Sequence, residues 1–230
     1  AYDKDFSDAI YGIEEDGRYV TESRLKKMLT HEVNLIEKRL SREKHPNKMF
    51  FSYANTVATI DFAKQFKGHG WVGIRFQIDP DEDYNDISIH IRFKETDARL
   101  QQETLGVLGV NLIYGAFYKY NDPKKLLRYL YDHLDKDQLE IDTINFSGPR
   151  FAEVDNRLMS LQLVKNGMTD AVMFDPEGKN ILPAAILYKK NILALRGSFR
   201  PVTSVNMDMY EKSLKMFLAE SKVDKENTLV

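Results

Sequence analysis

The residue types with the clearest chemistry lie in one loop near the C-terminal end, between an apolar run at 192–195 and a helical pattern that begins near Asn206. A turn from a strand into a helix directs free backbone N–H groups and the positive end of the helix dipole at an anion. The guanidinium group of arginine is well shaped to bind phosphate or carboxylate. The sequence therefore predicts a site for a phosphate or nucleotide formed by Arg196, Gly197, Ser198, Arg200 and Thr203.

A second loop has similar residues. Ser147, Gly148, Pro149 and Arg150 follow a strand pattern that ends at Phe146. If the strands before both loops are parallel members of one sheet, the loops lie at the same edge, where ligands collect. Ser147 and Arg150 are then expected to form a second wall of the anion site. The alternative is that both loops are ordinary turns with surface arginines.

Another candidate lies on a predicted hairpin. The runs 72–78 and 87–93 alternate apolar and polar residues, which predicts two antiparallel strands with one buried face. The polar face of these strands carries a second candidate site, formed by Arg75, His90 and Arg92. Such a group could bind an anion or donate a proton. The alternative is a solvated outer face without a ligand.

Other chemistries receive little support. The absence of cysteine excludes disulfides, cysteine-ligated metals and a thiol nucleophile. No two histidines have the close spacing of a metal pair, and the acidic loop 79–86 lacks the glycine and final glutamate of an EF-hand, so we predict no metal site. No nucleophile elbow, Walker loop, dinucleotide-binding or kinase motif occurs, so no catalytic residue is assigned and enzymatic activity stays open.

The first loop also resembles a known signature. Nucleotidyltransferases of the nicotinate/nicotinamide mononucleotide adenylyltransferase type carry G-[ST]-F-x-P-x-H-x-G-H, and this chain matches it at Gly197, Ser198, Phe199 and Pro201. Thr203 and Asn206 stand where that family has its histidines, and Val205 stands in place of the glycine. The chain as a whole is similar to uncharacterised bacterial proteins often given this label. The resemblance implies nucleotide binding and, only if adenylyl transfer is retained, ATP with magnesium.

The charge balance limits the partners. The 230 residues include 33 Lys and Arg against 35 Asp and Glu, a formal net charge of −2. This balance gives no reason to expect nucleic acid or an anionic membrane as a partner. No apolar run approaches the roughly 20 residues of a membrane helix, and the N-terminus lacks a signal-peptide pattern. We therefore expect a soluble cytoplasmic protein that binds a small anionic ligand or nucleotide.

These sites require elements to position them, and the periodicity predicts a mixed α/β fold. Residues 1–135 are expected to form helices and the hairpin, with helices near 21–42, 54–66, 97–118 and 123–134. Residues 136–230 alternate strands and helices, which predicts parallel strands. Since 227–230 looks like a strand just beginning, we expect this part to be truncated at its C-terminus.

Two functions follow from these patterns. The first is a nucleotide- or phosphate-binding α/β protein, nucleotidyltransferase-like if the resemblance holds. The alternative is a non-catalytic scaffolding module that forms a homo-oligomer through the apolar helix 105–117 and the aromatic-rich hairpin.

Overall fold

The computed structural model describes residues 4–14, 17–60 and 67–230. These residues form a mixed α/β fold, as expected, with seven α-helices: α1 (Lys4–Tyr11), α2 (Glu22–Leu40), α3 (Ala98–Tyr118), α4 (Pro123–Tyr129), α5 (Asn156–Lys165), α6 (Pro183–Ile186) and α7 (Ser204–Ala219). The strands are β1 (Phe51–Ala58), β2 (His69–Phe76), β3 (Asn85–Phe93), β4 (Leu139–Ser147), β5 (Met173–Phe174), β6 (Asn180–Ile181), β7 (Asn191–Ile192) and β8 (Thr228–Leu229). The chain divides into two compact units, 1–180 and 181–230.

The first unit is built on one antiparallel sheet with the strand order β1-β2-β3-β4. The predicted hairpin is confirmed as β2 and β3, with Val72 opposite Ile89. The helix predicted for 54–66 is wrong over 54–58, where the chain continues as β1. Its remaining part includes 61–66, which lies outside the described residues. In β1 the small and polar residues gain their strand conformation by pairing with β2 along the whole strand.

The hydrophobic core lies on one face of this sheet, under α3, α4 and α5. Ile74 and Ile87 on the sheet and Leu112 on α3 have no exposed surface. Burying a side chain of this size contributes about 1.5–3 kcal/mol, and the strand periodicity aligns these residues on one face. The buried Asn111 on α3 donates through Nδ2 to the carbonyls of Leu130 at 3.1 Å and Asp132 at 2.6 Å, which connects α3 to the segment that follows α4.

The opposite face of the sheet is covered by α2. An added Cβ at Gly73 would lie 2.9 Å from a Leu25 methyl group, so the missing side chain lets the helix approach the strand closely. The N-terminal helix α1 is in turn held to α2 through Arg24, which is 1% exposed. Its guanidinium donates to Ser7 Oγ at 2.8 Å and pairs with Asp8 at 2.7 Å. The first unit therefore has helices on both faces of one sheet.

The predicted C-terminal βα alternation with parallel strands is wrong for most of that region. The strand expected at 139–146 is β4, and it pairs antiparallel with β3 inside the first unit. This pairing joins it to the hairpin although 45 residues separate the two strands, a contact that leaves no local sequence pattern. Among the described residues the parallel strands are β7 and β8, two residues each, joined through α7. The division predicted at 135/136 lies within the first unit.

Candidate functional sites in two loops and on the polar sheet face

The loop after β4 belongs to the first unit, and its arginine is fully engaged. Arg150 Nε donates to Glu82 Oε2 at 2.7 Å, and its guanidinium also pairs with Asp79. Its backbone N–H donates to Asn85 Oδ1 at 2.8 Å. Burial acts to raise the pKa of Glu82, but hydrogen bonds from the Ile78 N–H and from Arg150 outweigh it, and the net pKa is lowered. These contacts attach the loop to the acidic turn between β2 and β3.

The backbone of this loop is also constrained. Gly148 has φ +106°, a conformation that favours glycine, and an added Cβ would lie 2.6 Å from both Asn85 Cα and the Tyr84 carbonyl. Ser147, the last residue of β4, lies opposite Asp86 of β3. The loop is therefore a close junction between two turns of the sheet.

The loop before α7 belongs to the second unit and has a different character. Arg196 and Arg200 are exposed, and within the described part of the chain neither forms an ion pair or a hydrogen bond. Gly197 and Ser198, between them, are exposed as well. Thr203 is the N-cap of α7 and forms a capping box with Asn206: its Oγ1 accepts from the Asn206 N–H at 3.3 Å, and the Thr203 N–H donates to Asn206 Oδ1 at 2.9 Å. The predicted helix thus begins two residues before Asn206.

The three residues of the second candidate site do not form one group. Arg75 pairs with Asp86 through Nε at 2.8 Å and a terminal nitrogen at 2.9 Å, and its other terminal nitrogen donates to Thr30 Oγ1 on α2 at 2.7 Å. All three nitrogens of Arg75 are therefore occupied between the sheet and α2. His90 and Arg92 lie toward the other end of the hairpin, where both contact Asp142.

A chain of three side chains crosses the sheet at that end. His69 Nδ1 lies 3.2 Å from His90 Nε2, and His90 Nδ1 lies 2.8 Å from Asp142 Oδ1. His90 and Asp142 are buried, whereas His69 is half-buried. Because an ionised carboxylate only accepts hydrogen bonds, His90 donates to Asp142 from Nδ1. On its other side, His90 Nε2 and His69 Nδ1 share one hydrogen bond.

Charge and burial act together on His69. Burial lowers the pKa of His69, and the neighbouring His90 lowers it further, although Asp142 acts in the opposite sense. The lowered pKa favours the neutral form of the His69 imidazole. Arg92 extends the network, since it pairs with Glu140 at 2.7 Å, and Glu140 also accepts from Thr169 Oγ1 at 2.6 Å.

The sequence prediction found His90 but missed His69 and Asp142. One signal for Asp142 is present in the apolar pattern of β4, which falls on Leu139 and Ile141 and then shifts phase to Ile144 and Phe146. In the structure the register between β3 and β4 shifts at this point, between His90 and Ile91. A shift of this kind places an extra residue in the strand and redirects side chains, here Asp142 toward His90.

Asp155 follows the loop after β4. It is the N-cap of α5 and accepts from the Arg157 N–H at 2.9 Å. The side-chain hydrogen bond from Arg157 lowers the pKa of Asp155 to about 2.

Comparison with protein-family models, with characterised proteins and with solved structures gave no match to this chain. Among the described residues no three His, Asp or Glu side chains are grouped so as to hold a metal ion. In the same part of the chain no helix combines the length and apolar character needed to cross a membrane.

Proposed function

We propose that the loop before α7 binds a phosphate-type anion, such as the phosphate groups of a nucleotide. Arg196 and Arg200 contact the anion, and Gly197 and Ser198 allow the backbone to approach it. The observation that carries this proposal is the position of two arginines, unpaired within the part of the chain that the structure describes, just before the N-terminus of a sixteen-residue helix.

The helix dipole makes this position unusual for a cation. The N-terminus of a helix has a positive potential, which favours anions and disfavours arginine. Two other exposed arginines without an ion pair, Arg39 and Arg128, lie in the last turns of α2 and α4, where the dipole favours them. Arg200 instead lies three residues before the N-cap Thr203. An anion in the loop would balance both the arginines and the helix end.

Backbone donors add to the site. The capping box satisfies the N–H of Asn206, the third residue of α7. Among the described residues, the N–H groups of Ser204 and Val205 have no acceptor. The first N–H groups of a helix commonly bind phosphate oxygens, often at the end of a strand–loop–helix connection. Here α7 follows β7 and leads to the parallel strand β8, which is such a connection.

The test is a titration of the whole chain with inorganic phosphate, pyrophosphate and ATP, with and without Mg²⁺, followed by calorimetry and thermal unfolding. A ligand at 100 times its Kd should add about 2.7 kcal/mol to the free energy of unfolding. The variant Arg196→Ala/Arg200→Ala should abolish binding. The matched variant Arg39→Ala/Arg128→Ala removes the same charge from helix C-termini and should bind as the wild type does.

Each outcome decides the proposal. Loss of binding in the first variant alone supports the loop before α7. Equal weakening in both double variants would mean that overall charge, and not this loop, attracts the ligand, which overturns the proposal. Absence of binding for every ligand to the wild-type chain would also overturn it. A requirement for Mg²⁺ with ATP, but not with phosphate, would identify the nucleotide as the ligand.

A further inference from the structure

The two edges of the four-stranded sheet differ in how their backbone groups are satisfied. Along β4, side chains bind the outer backbone: Asn156 accepts from the Phe146 N–H at 2.8 Å and donates to its carbonyl at 3.0 Å. Asn180 Nδ2 donates to the Ile144 carbonyl at 2.9 Å. The side chain of Asn156 thus makes the two bonds that a neighbouring strand would make. The β4 edge is covered within the first unit.

Among residues 4–14, 17–60 and 67–230, nothing covers the β1 edge in this way. The Gln77 N–H donates to the Phe50 carbonyl, which makes this a hydrogen-bonded pair of the antiparallel ladder. Because such pairs recur at every second residue, Ser52, Ala54 and Thr56 also direct their backbone groups toward β2. The residues between them direct their N–H and C=O groups away from β2, and these groups have no partner among the described residues: Phe51, Tyr53, Asn55 and Val57. Proteins usually protect such an edge with charge, proline or a bulge. This strand of eight residues has none of them.

An apolar surface continues from this edge onto α3. A groove of about 300 Å³ lies between β1 and α3, and its α3 wall includes Gly106 and Val110. Val110 is 67% exposed, and no atom lies within 4 Å of a Cβ added at Gly106. From Thr104 to Tyr118 the helix contains no charged residue. A helix that is apolar on all sides is normally covered on all sides.

We propose that this face binds a second copy of the chain, with the two β1 strands paired antiparallel about a two-fold axis. No residue of β1 or of the groove between β1 and α3 is charged, so no charge there opposes self-association. A two-fold axis at Ala54 places Tyr53 opposite Asn55 and Phe51 opposite Val57 of the other copy. All four outward-directed residues of each strand then form hydrogen-bonded pairs.

The side chains on the axis fit this register. Ala54 of one copy faces Ala54 of the other in a non-hydrogen-bonded pair, where the strands approach most closely and a small side chain is needed. Tyr53 and Asn55 of each copy lie opposite Asn55 and Tyr53 of the other, so polar side chains meet polar side chains across the axis. On the α3 side, Gly106 leaves room for the second helix beside Val110.

The number of residues along the β1 edge is close to that of a standard protein–protein interface. A second groove of about 530 Å³ lies on the α2 side of β1. Twelve residues line this groove and eight line the α3 groove, with two residues shared. One side of a standard interface holds about 20–30 residues and buries about 800 Å². The β1 edge with its two grooves approaches this size before the rest of α3 is included.

The chain has no cysteine, so an introduced cysteine reports on this register alone. Ala54→Cys lies on the proposed axis and should cross-link two chains under mild oxidation. Ala58→Cys is the matched control, because it is the same substitution on the same face of the same strand. In the proposed register the two copies of residue 58 are about 27 Å apart at 3.4 Å per residue, so they should not cross-link.

A second pair of variants tests the α3 surface. Light scattering should give about twice the 26.7 kDa of one chain for the wild type and about 26.7 kDa for Val110→Lys. Leu158→Lys, at a residue 55% exposed on α5, introduces the same charge elsewhere and should remain dimeric. A monomeric wild type at all concentrations would overturn the proposal. So would a dimer that survives Val110→Lys or that cross-links at 58 and not at 54.

Discussion

The loop after β4 and the loop before α7 both contain a glycine, a serine, a proline and arginine, but they use these residues differently. In the loop after β4, Arg150 is bound to Glu82 and Asp79, and Gly148 lies against the backbone of a neighbouring turn. In the loop before α7, the arginines have no partner among the described residues, and the capping box of Thr203 and Asn206 fixes the end of the loop where the helix begins. Loops of similar composition therefore differ in function: the arginine of the loop after β4 stabilises the fold, whereas the arginines of the loop before α7 can donate hydrogen bonds to a ligand. Substitutions in the two loops should separate these roles.

The largest effect is expected from Gly148→Ala. The added Cβ would meet backbone atoms at 2.6 Å. The alanine would also have to adopt φ +106°, a backbone conformation that disfavours residues with a Cβ. We expect a loss of about 3 kcal/mol in the free energy of unfolding, measured by urea denaturation. Gly197→Ala is the control in the other loop, because its nearest atom is the movable Phe199 ring at 3.1 Å. Its cost should be within about 0.5 kcal/mol, and equal losses in both variants would remove the contrast between the loops.

A smaller effect is expected from Glu82→Gln, which removes the charge that binds Arg150. We expect a loss of about 1 kcal/mol at pH 7, the size of one charged hydrogen bond at a partly exposed site. Because the pKa of Glu82 is lowered from 4.5, its stabilising contribution is present above pH 4.5 and is lost as the pH falls through the lowered value. The difference between wild type and variant should therefore shrink in acid. Glu211→Gln, on exposed α7, should show no difference at either pH.

His69 should affect stability in a different pH range. Its pKa is lowered from 6.5, so the unfolded chain binds a proton that the folded chain releases, and stability falls as the pH drops below 6.5. His69→Asn should remove this part of the pH dependence between pH 7 and 5 while leaving the acid-range effect of Glu82 in place. His45→Asn, in the exposed segment after α2, is the control. An unchanged slope in His69→Asn would mean that the His69–His90–Asp142 chain does not control this proton.

The smallest effect on stability is expected in the loop before α7. Arg196→Ala/Arg200→Ala should change the free energy of unfolding by no more than about 0.5 kcal/mol without ligand, because neither side chain has a partner to lose among the described residues. Chemical denaturation in a buffer free of phosphate and sulfate measures this. A larger loss would show that these arginines stabilise the fold, as Arg150 does, and would remove the distinction between the loops.

Local signals predicted the local structure well. Helices were expected near 97–118 and 123–134, and α3 and α4 begin there, with Asp97 capping α3 and Asp122 capping α4 through their side chains. The alternation in β2 and β3 gave the hairpin and its buried face, since this pattern depends only on neighbouring residues.

Features that depend on distant contacts were not predictable in this way. The β1 strand contains Ala54 and Asn55, residue types depleted in strands, and it gains its conformation there from pairing with β2. The partner of β4 is set by a long-range antiparallel contact with β3, so the expected parallel sheet did not form there. For the candidate sites, the sequence supplied the arginines but not their partners. Arg150 is paired because the fold brings the turn 79–86, which is distant in sequence, next to it. Arg196 and Arg200 meet no such turn within the described residues.

The amide of Asn156 on the outer backbone of β4 has a consequence for assembly size. A sheet with two open edges can add copies at both ends and grow into a filament. Here Asn156 occupies one edge with the bonds that an incoming strand would need. The proposed pairing through β1 uses the other edge of each four-stranded sheet, so growth of this sheet stops at two chains. Asn156 would in this way protect the protein from polymerisation through β4.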